Sequence, residues 1–230
     1  MTIKTYTCED CHKNFDAEVL AFHGKIIFEP RKCDACCENA VEAQKHDALS
    51  RAEKVSIQRF QMMIPPIYHE SDILRIPEAL VMAIEMWSMN PKGIGFIGKS
   101  GKGKTRAAVM LLKRMHEEDH NVFFISATDL ALNSANQFAD NPATKQIAKA
   151  ILSQCKSADL LMLDDLGKNR MTDRAESELY DLLEYRTSRR LPTIWTSNSD
   201  GKQLREMFSA DRGEAIIRRL GSEFSTIVKL

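Results

Sequence analysis

The octet Gly98-Lys99-Ser100-Gly101-Lys102-Gly103-Lys104-Thr105 constrains this chain more than any other stretch. It fits the pattern G-x-x-x-x-G-K-[ST], which has meaning only between a strand and a helix. Both are predicted: Ile94–Ile97 is a short apolar run, and Thr105 to about His116 reads as a helix. Glycines let backbone N–H groups curl around an anion with no Cβ in the way. The helix start adds unpaired donors and the positive end of its dipole. In such a loop Lys104 reaches β- and γ-phosphate oxygens and the Thr105 hydroxyl ligates Mg²⁺, so ATP with Mg²⁺ is the expected ligand. Lys99 and Lys102 are not required by the pattern and read as solvated side chains. A chance Gly/Lys-rich turn is the competing explanation, and the flanking elements argue against it.

The remaining pattern is regular. Asn121–Ser126 reads as a second strand, and helices are predicted at Thr128–Phe138, with Thr128 as N-cap, and at Thr144–Gln154. Leu160–Leu163 is an apolar strand. A helix over Asp173–Ser188, a strand entered through Pro192–Trp195, one helix from Asp200 to about Leu220 and a last strand Ser225–Val228 complete the series. Strands alternating with helices imply an α/β fold, a parallel sheet buried on both faces.

The strand Leu160–Leu163 runs into Asp164-Asp165. Carboxylates at the C-terminal edge of a buried parallel strand lie where open α/β sheets bind ligands. Asp164 is expected in the Mg²⁺ shell, and Asp165 as the general base on the attacking water. Without the phosphate loop, two acids at a strand end would read as loop caps. Thr193-Ile-Trp-Thr-Ser-Asn198 repeats the geometry, and Asn198 is expected to bond the γ-phosphate or the lytic water. Judged alone it is equally a turn residue, while Thr196 and Ser197 are expected to settle the strand end.

Five of the six cysteines fall within the first forty residues. Cys8-Glu-Asp-Cys11 and Cys33-Asp-Ala-Cys36 are two C-x₂-C knuckles with 21 residues between them. Two such turns close a Cys₄ site on one tetrahedral Zn²⁺. Cys37 is the alternative to Cys36, and His12 a weaker substitute. Forty residues bury too little apolar surface to fold securely, so the metal is expected to be structural. Cys155 stands apart as a core residue. The N-terminus has no apolar signal segment and no run is long enough to span a membrane, so a reducing cytoplasm is the expected compartment and metal outranks disulfides. The formal net charge of zero argues against a whole-surface attraction to nucleic acid, though not against a local basic patch.

From Glu38 to about Met63 the chain is charged, Ala-rich and free of Gly and Pro, which predicts a linker helix stopped by Ile64-Pro65-Pro66. The expected division is a zinc module over 1–40, the linker helix over 41–63 and an ATPase domain over 64–230.

Together the phosphate loop, the run Leu160–Gly167 (LLMLDDLG), Tyr180–Arg186 and Leu191–Asn198 (LPTIWTSN) resemble the DnaC/DnaI helicase loaders and the related IstB transposition ATPases, over roughly Pro65 to the end. The resemblance implies an AAA+ P-loop ATPase with a sensor role for Asn198. It also implies an arginine finger acting in trans at Arg219, or Arg218 as fallback, hence a homo-oligomer on ATP binding. It further implies a replicative helicase and single-stranded DNA as partners, with Lys168, Arg170 and Arg174 as candidate phosphate contacts. No helical lid is expected after the last strand, and the cysteine module is foreign to this family. A transposition helper binding duplex DNA, and a nucleotide-gated adaptor with little hydrolysis, are the rival readings.

Overall fold

The computed structural model describes residues 2–22, 25–71, 73–168 and 170–230, the side chains of 19–28 and Thr2 excepted. The chain separates into two units, Met1–Arg59 and Phe60–Leu230.

In the first unit, strands β1 (Thr2–Thr7), β2 (Asn14–Phe22) and β3 (Lys25–Phe28) form an antiparallel sheet in that order. The β1–β2 register pairs Tyr6 with Phe15 and Thr7 with Asn14. This sheet was not foreseen in the sequence. Helix α1 (Asp34–Met63) starts four residues before the expected Glu38, so it takes in Cys36. Its thin apolar stripe is largely exposed: Val41 is 49% and Val55 45% accessible.

The second unit is a parallel five-stranded sheet. Its strands are β4 (Gly93–Ile97), β5 (Val122–Ser126), β6 (Leu160–Leu166), β7 (Thr193–Ser197) and β8 (Ser225–Lys229), in the order β5-β6-β7-β4-β8. The helices are α2 (Glu78–Met86), α3 (Lys104–Glu117), α4 (Ala127–Asn136), α5 (Pro142–Ser157), α6 (Asp173–Ser188), α7 (Gly201–Glu206) and α8 (Ala210–Leu220). One face of the sheet packs Leu160, Met162, Ile94 and Ile194 with Leu80, Leu111 and Met115 of α2 and α3. The other packs Leu161, Leu163 and Trp195 with Leu130, Leu152, Leu179 and Ile216 of α4, α5, α6 and α8. Strands β4 and β7 approach closely, and a Cβ on Gly95 would lie 2.3 Å from the Trp195 indole. This is the α/β sheet flanked by helices expected from the alternation. Among the described residues no helix is long and apolar enough to cross a membrane.

Three expectations are corrected. The N-cap of α4 is Ser126, whose hydroxyl accepts the Asp129 N–H at 3.0 Å; Thr128 lies inside the helix. The single helix expected over Asp200–Leu220 is two, because Ser209 caps a new start: its hydroxyl accepts from Arg212 N–H while its own N–H donates to the buried Glu176. Finally, β6 continues through both aspartates to Leu166, and α2 fills a stretch left unassigned.

Buried Arg186 knits the lower edge of this unit. Its guanidinium is fully covered and donates to the carbonyls of Cys155 (3.0 Å), Ala158 (2.8 Å) and Pro192 (2.5 Å), and to Thr193 Oγ1 (3.1 Å). It thereby satisfies the orphan carbonyls at the end of α5. Burial lowers its pKa to about 10, which leaves it charged at neutral pH.

Candidate functional site

Strand β4 ends at Ile97, and the loop that follows returns into α3 through Gly103, whose φ of 79° is the left-handed conformation that favours glycine. A Cβ there would also press on Ile76 Cγ2 at 3.2 Å. The loop, with Thr105, Arg106, Asp164, Asp165, Lys168 and Asn198, lines a cleft of about 490 Å³ at the C-terminal edge of the sheet. Tyr68 and Arg75 line it too, on the segment between α1 and α2, where the sequence carries no motif to reveal them.

The ammonium of Lys104 is buried and donates to three oxygens: Gly98 O at 2.8 Å, Lys99 O at 2.9 Å and Asn198 Oδ1 at 2.8 Å. Burial lowers its pKa, while the charges of Asp165 and Asp164 oppose that shift. The Asn198 amide also donates to Asp165 Oδ1 at 3.0 Å, so one side chain spans the loop lysine and the second aspartate. Asp164 accepts from Thr105 Oγ1 at 2.9 Å and Thr196 Oγ1 at 2.6 Å. Burial pushes its carboxyl above the usual range, and these two hydroxyls counteract the shift. Asp165 is met by Lys168 Nζ at 3.0 Å.

Adjacent residues of a strand point to opposite faces, so a regular β6 would leave one aspartate outside the cleft. The ladder between β6 and β7 instead pairs Leu163 with Trp195 and Leu166 with Ser197, one residue more on β6 than on β7. The alternation is reset accordingly: Leu161, Leu163 and then Leu166 all enter the same core cluster. Asp165 sits at φ 62° within this bulge. A β-bulge re-aims side chains in this way. Nothing in the sequence pattern announced it.

The two arginines of α8 have different surroundings. Arg219 is buried; it pairs with Glu184, donates to Ala215 O at 3.1 Å and lies 4.9 Å from the Tyr180 ring centre. Arg218 is exposed. Neither lines the cleft. Of the other basic residues, Arg174 stacks on the Phe138 ring at 4.6 Å, and Arg170 is exposed.

In the first unit the Sγ atoms of Cys8, Cys11, Cys33 and Cys36 all lie within 4.8 Å of one another. Cys11 and Cys33 are 3.8 Å apart, close to the edge of about 3.8 Å of a tetrahedron with a Zn–S bond near 2.3 Å. Backbone N–H groups of Cys11 and Cys33 lower the Cys8 thiol to about 6, which favours the ligating thiolate. The neighbouring thiols raise Cys36. The four residues are a candidate zinc site. Cys37 is exposed and faces Lys32 O at 3.9 Å; His12 is also exposed. Cys155 is buried behind the sheet, and burial pushes it up to about 12.

A family model for IstB-like ATP-binding proteins matches residues 80–228. The replicative helicase loader DnaI of Bacillus subtilis (strain 168) is 29% identical over 125 residues, 54% of this chain and 39% of that protein. The chain thus matches well under half the length of this curated relative. A crystal structure of DnaI superposes with a TM-score of 0.58 at 18% identity, covering 72% of this chain and 94% of that one. For a crystal structure of the DnaC helicase loader the TM-score is 0.52 at 24% identity, with coverages of 66% and 85%. These two likenesses show that the chain shares the fold of those proteins.

Proposed function

The chain belongs to the IstB-like ATP-binding family, and from that premise we propose that it is an ATP-hydrolysing replication protein of the helicase-loader type. The observation that carries this reading is the convergence of Lys104, Thr105, Asp164, Asp165 and Asn198 on one cleft. Backbone donors of Gly98–Thr105 hold the phosphates, and Lys104 exchanges its carbonyl partners for β- and γ-phosphate oxygens. Thr105 and Asp164 are the residues that would hold Mg²⁺, which neutralises charge on the phosphates when bound. Asp165 accepts a proton from the water that attacks the γ-phosphorus as the bond to the ADP oxygen breaks. Asn198 keeps that carboxylate in register. The four clustered cysteines hold a structural Zn²⁺ in a module over residues 1–40, ahead of a linker helix and the ATPase domain, within a cytoplasmic protein.

The partners proposed are a replicative helicase and single-stranded DNA. The kinship with a replicative helicase loader supports them, as does exposed Arg170 near the cleft-lining Lys168. We further propose a homo-oligomer in which the end of α8 reaches a neighbour's ATP. Arg219 is already engaged by Glu184, so exposed Arg218 is the first candidate for that contact. Supplying such an arginine is worth roughly 10³–10⁵ in rate in other NTPases.

The test is threefold. Lys104→Ala is expected to weaken ATP binding on the order of 10²-fold, since it removes one partner of a buried charged contact. Arg218→Ala mixed with Lys104→Ala should regain turnover that neither has alone. The intact protein should co-sediment with the hexameric helicase of its host, in an ATP-dependent manner. Association with a transposase instead would move it to the transposition helpers, and unchanged binding by Lys104→Ala would remove the nucleotide reading.

A further inference from the structure

The acid pair depends on a bulge, and a bulge leaves a backbone group without its ladder partner. Here Asp164 and Asp165 lie opposite the single residue Thr196. The orphaned Asp165 N–H donates to Thr196 Oγ1 at 2.9 Å, and the same hydroxyl donates to Asp164 Oδ1 at 2.6 Å. Thr196 is 1% exposed, so water cannot replace either bond. A hydroxyl has one proton to give and two lone pairs to accept with, so both bonds can exist at once.

We propose that Thr196 is the positioning residue of the acid pair: its hydroxyl fixes the Asp164 carboxylate and pins the bulge that turns Asp165 into the cleft. The inference rests on the reading of the cleft as a Mg²⁺-nucleotide site. It assigns to Thr196 more than the strand-end role expected from the sequence. Valine has the same shape with no hydroxyl, so in Thr196→Val the Asp164 carboxylate loses a donor and the Asp165 N–H loses the acceptor it has here. Serine keeps both bonds and gives up only a methyl group. Lys104 bonds Gly98 O, Lys99 O and Asn198 Oδ1 rather than this hydroxyl, so its phosphate contacts are expected to stay intact.

The experiment titrates Mg²⁺ into the full chain with a fluorescent ATP analogue, and repeats the affinity measurement in EDTA. Thr196→Val should need at least about fivefold more Mg²⁺ for half-maximal effect, because small misplacements of a charged ligand set are costly. Its affinity in EDTA should match the parent, its turnover should fall by a similar or larger factor, and Thr196→Ser should sit closer to the parent than to the valine variant. A smaller Mg²⁺ shift in Thr196→Val, or a serine variant as impaired as the valine one, overturns the proposal. Should Thr196→Val fail to fold, Thr196→Ala carries the same expectation. A parent that binds no nucleotide refutes the cleft's assignment itself, an outcome distinct from a parent that binds and a valine variant that behaves identically.

Discussion

The two units are ordered by different means. Among the described side chains before Phe60, only Cys8 is buried, and it is a candidate metal ligand. Every other buried apolar residue among those described belongs to Phe60–Leu230, where two apolar clusters cover the two faces of a parallel sheet. Burial at about 25 cal/mol per Å² can hold a domain of that size, whereas a unit spanning Met1–Arg59 is marginal on burial alone. On the zinc reading, the first unit is expected to need its four thiolates joined and the second is not.

Removing the metal is therefore the harshest way to break the contrast. The purified chain should carry about one equivalent of zinc, and Cys8→Ser or a chelator should release it and abolish the order of the first unit. Cys37→Ser should keep the metal. Two thermal transitions, of which only one responds to chelator, are the expected signature; a chelator that leaves both unchanged would show that the thiols are not what orders residues 1–59.

The counterpart in the second unit is Arg186. Arg186→Met strands several buried carbonyls together and should lower the stability of that unit on the order of 3 kcal/mol or more, with no loss of zinc. Calorimetry on metal-loaded protein reads both at once, and a substitution that leaves the transition in place would mean that the guanidinium is replaceable by water. A smaller effect sharpens the same picture at one helix end. Ser126→Ala should cost about 1 kcal/mol, whereas Thr128→Ala, inside α4, should cost much less. Equal losses would place the cap where the sequence first suggested it.

These elements also mark what could be read from the sequence. Strand–helix alternation and a contiguous phosphate loop are local signals, and both sheet and cleft followed from them. The bulge at Asp164–Asp165 did not, because it arises from pairing with Thr196, a residue distant in sequence. The break between α7 and α8 was hidden for a related reason: Ser209 becomes a cap only when Glu176 of another helix binds its N–H. Arg219 looked as available as Arg218 until Glu184 and Tyr180 were seen beside it. The spacing of the cysteines was legible; the alternation of Phe15, Ala17 and Val19 with Asp16 and Glu18 in β2 was a strand signal that went unread.

If the cleft hydrolyses ATP with Asp165 as the base, Asp165→Asn must cut turnover while sparing nucleotide binding. The substitution keeps the shape and an oxygen facing Asn198, yet removes the proton acceptor. Nucleotide affinity and turnover should be measured together on the same preparation, with single-stranded DNA present and absent. Affinity is expected to stay within about threefold of the parent while turnover falls by roughly 10²–10⁴. Turnover equal to that of the parent would contradict the claim.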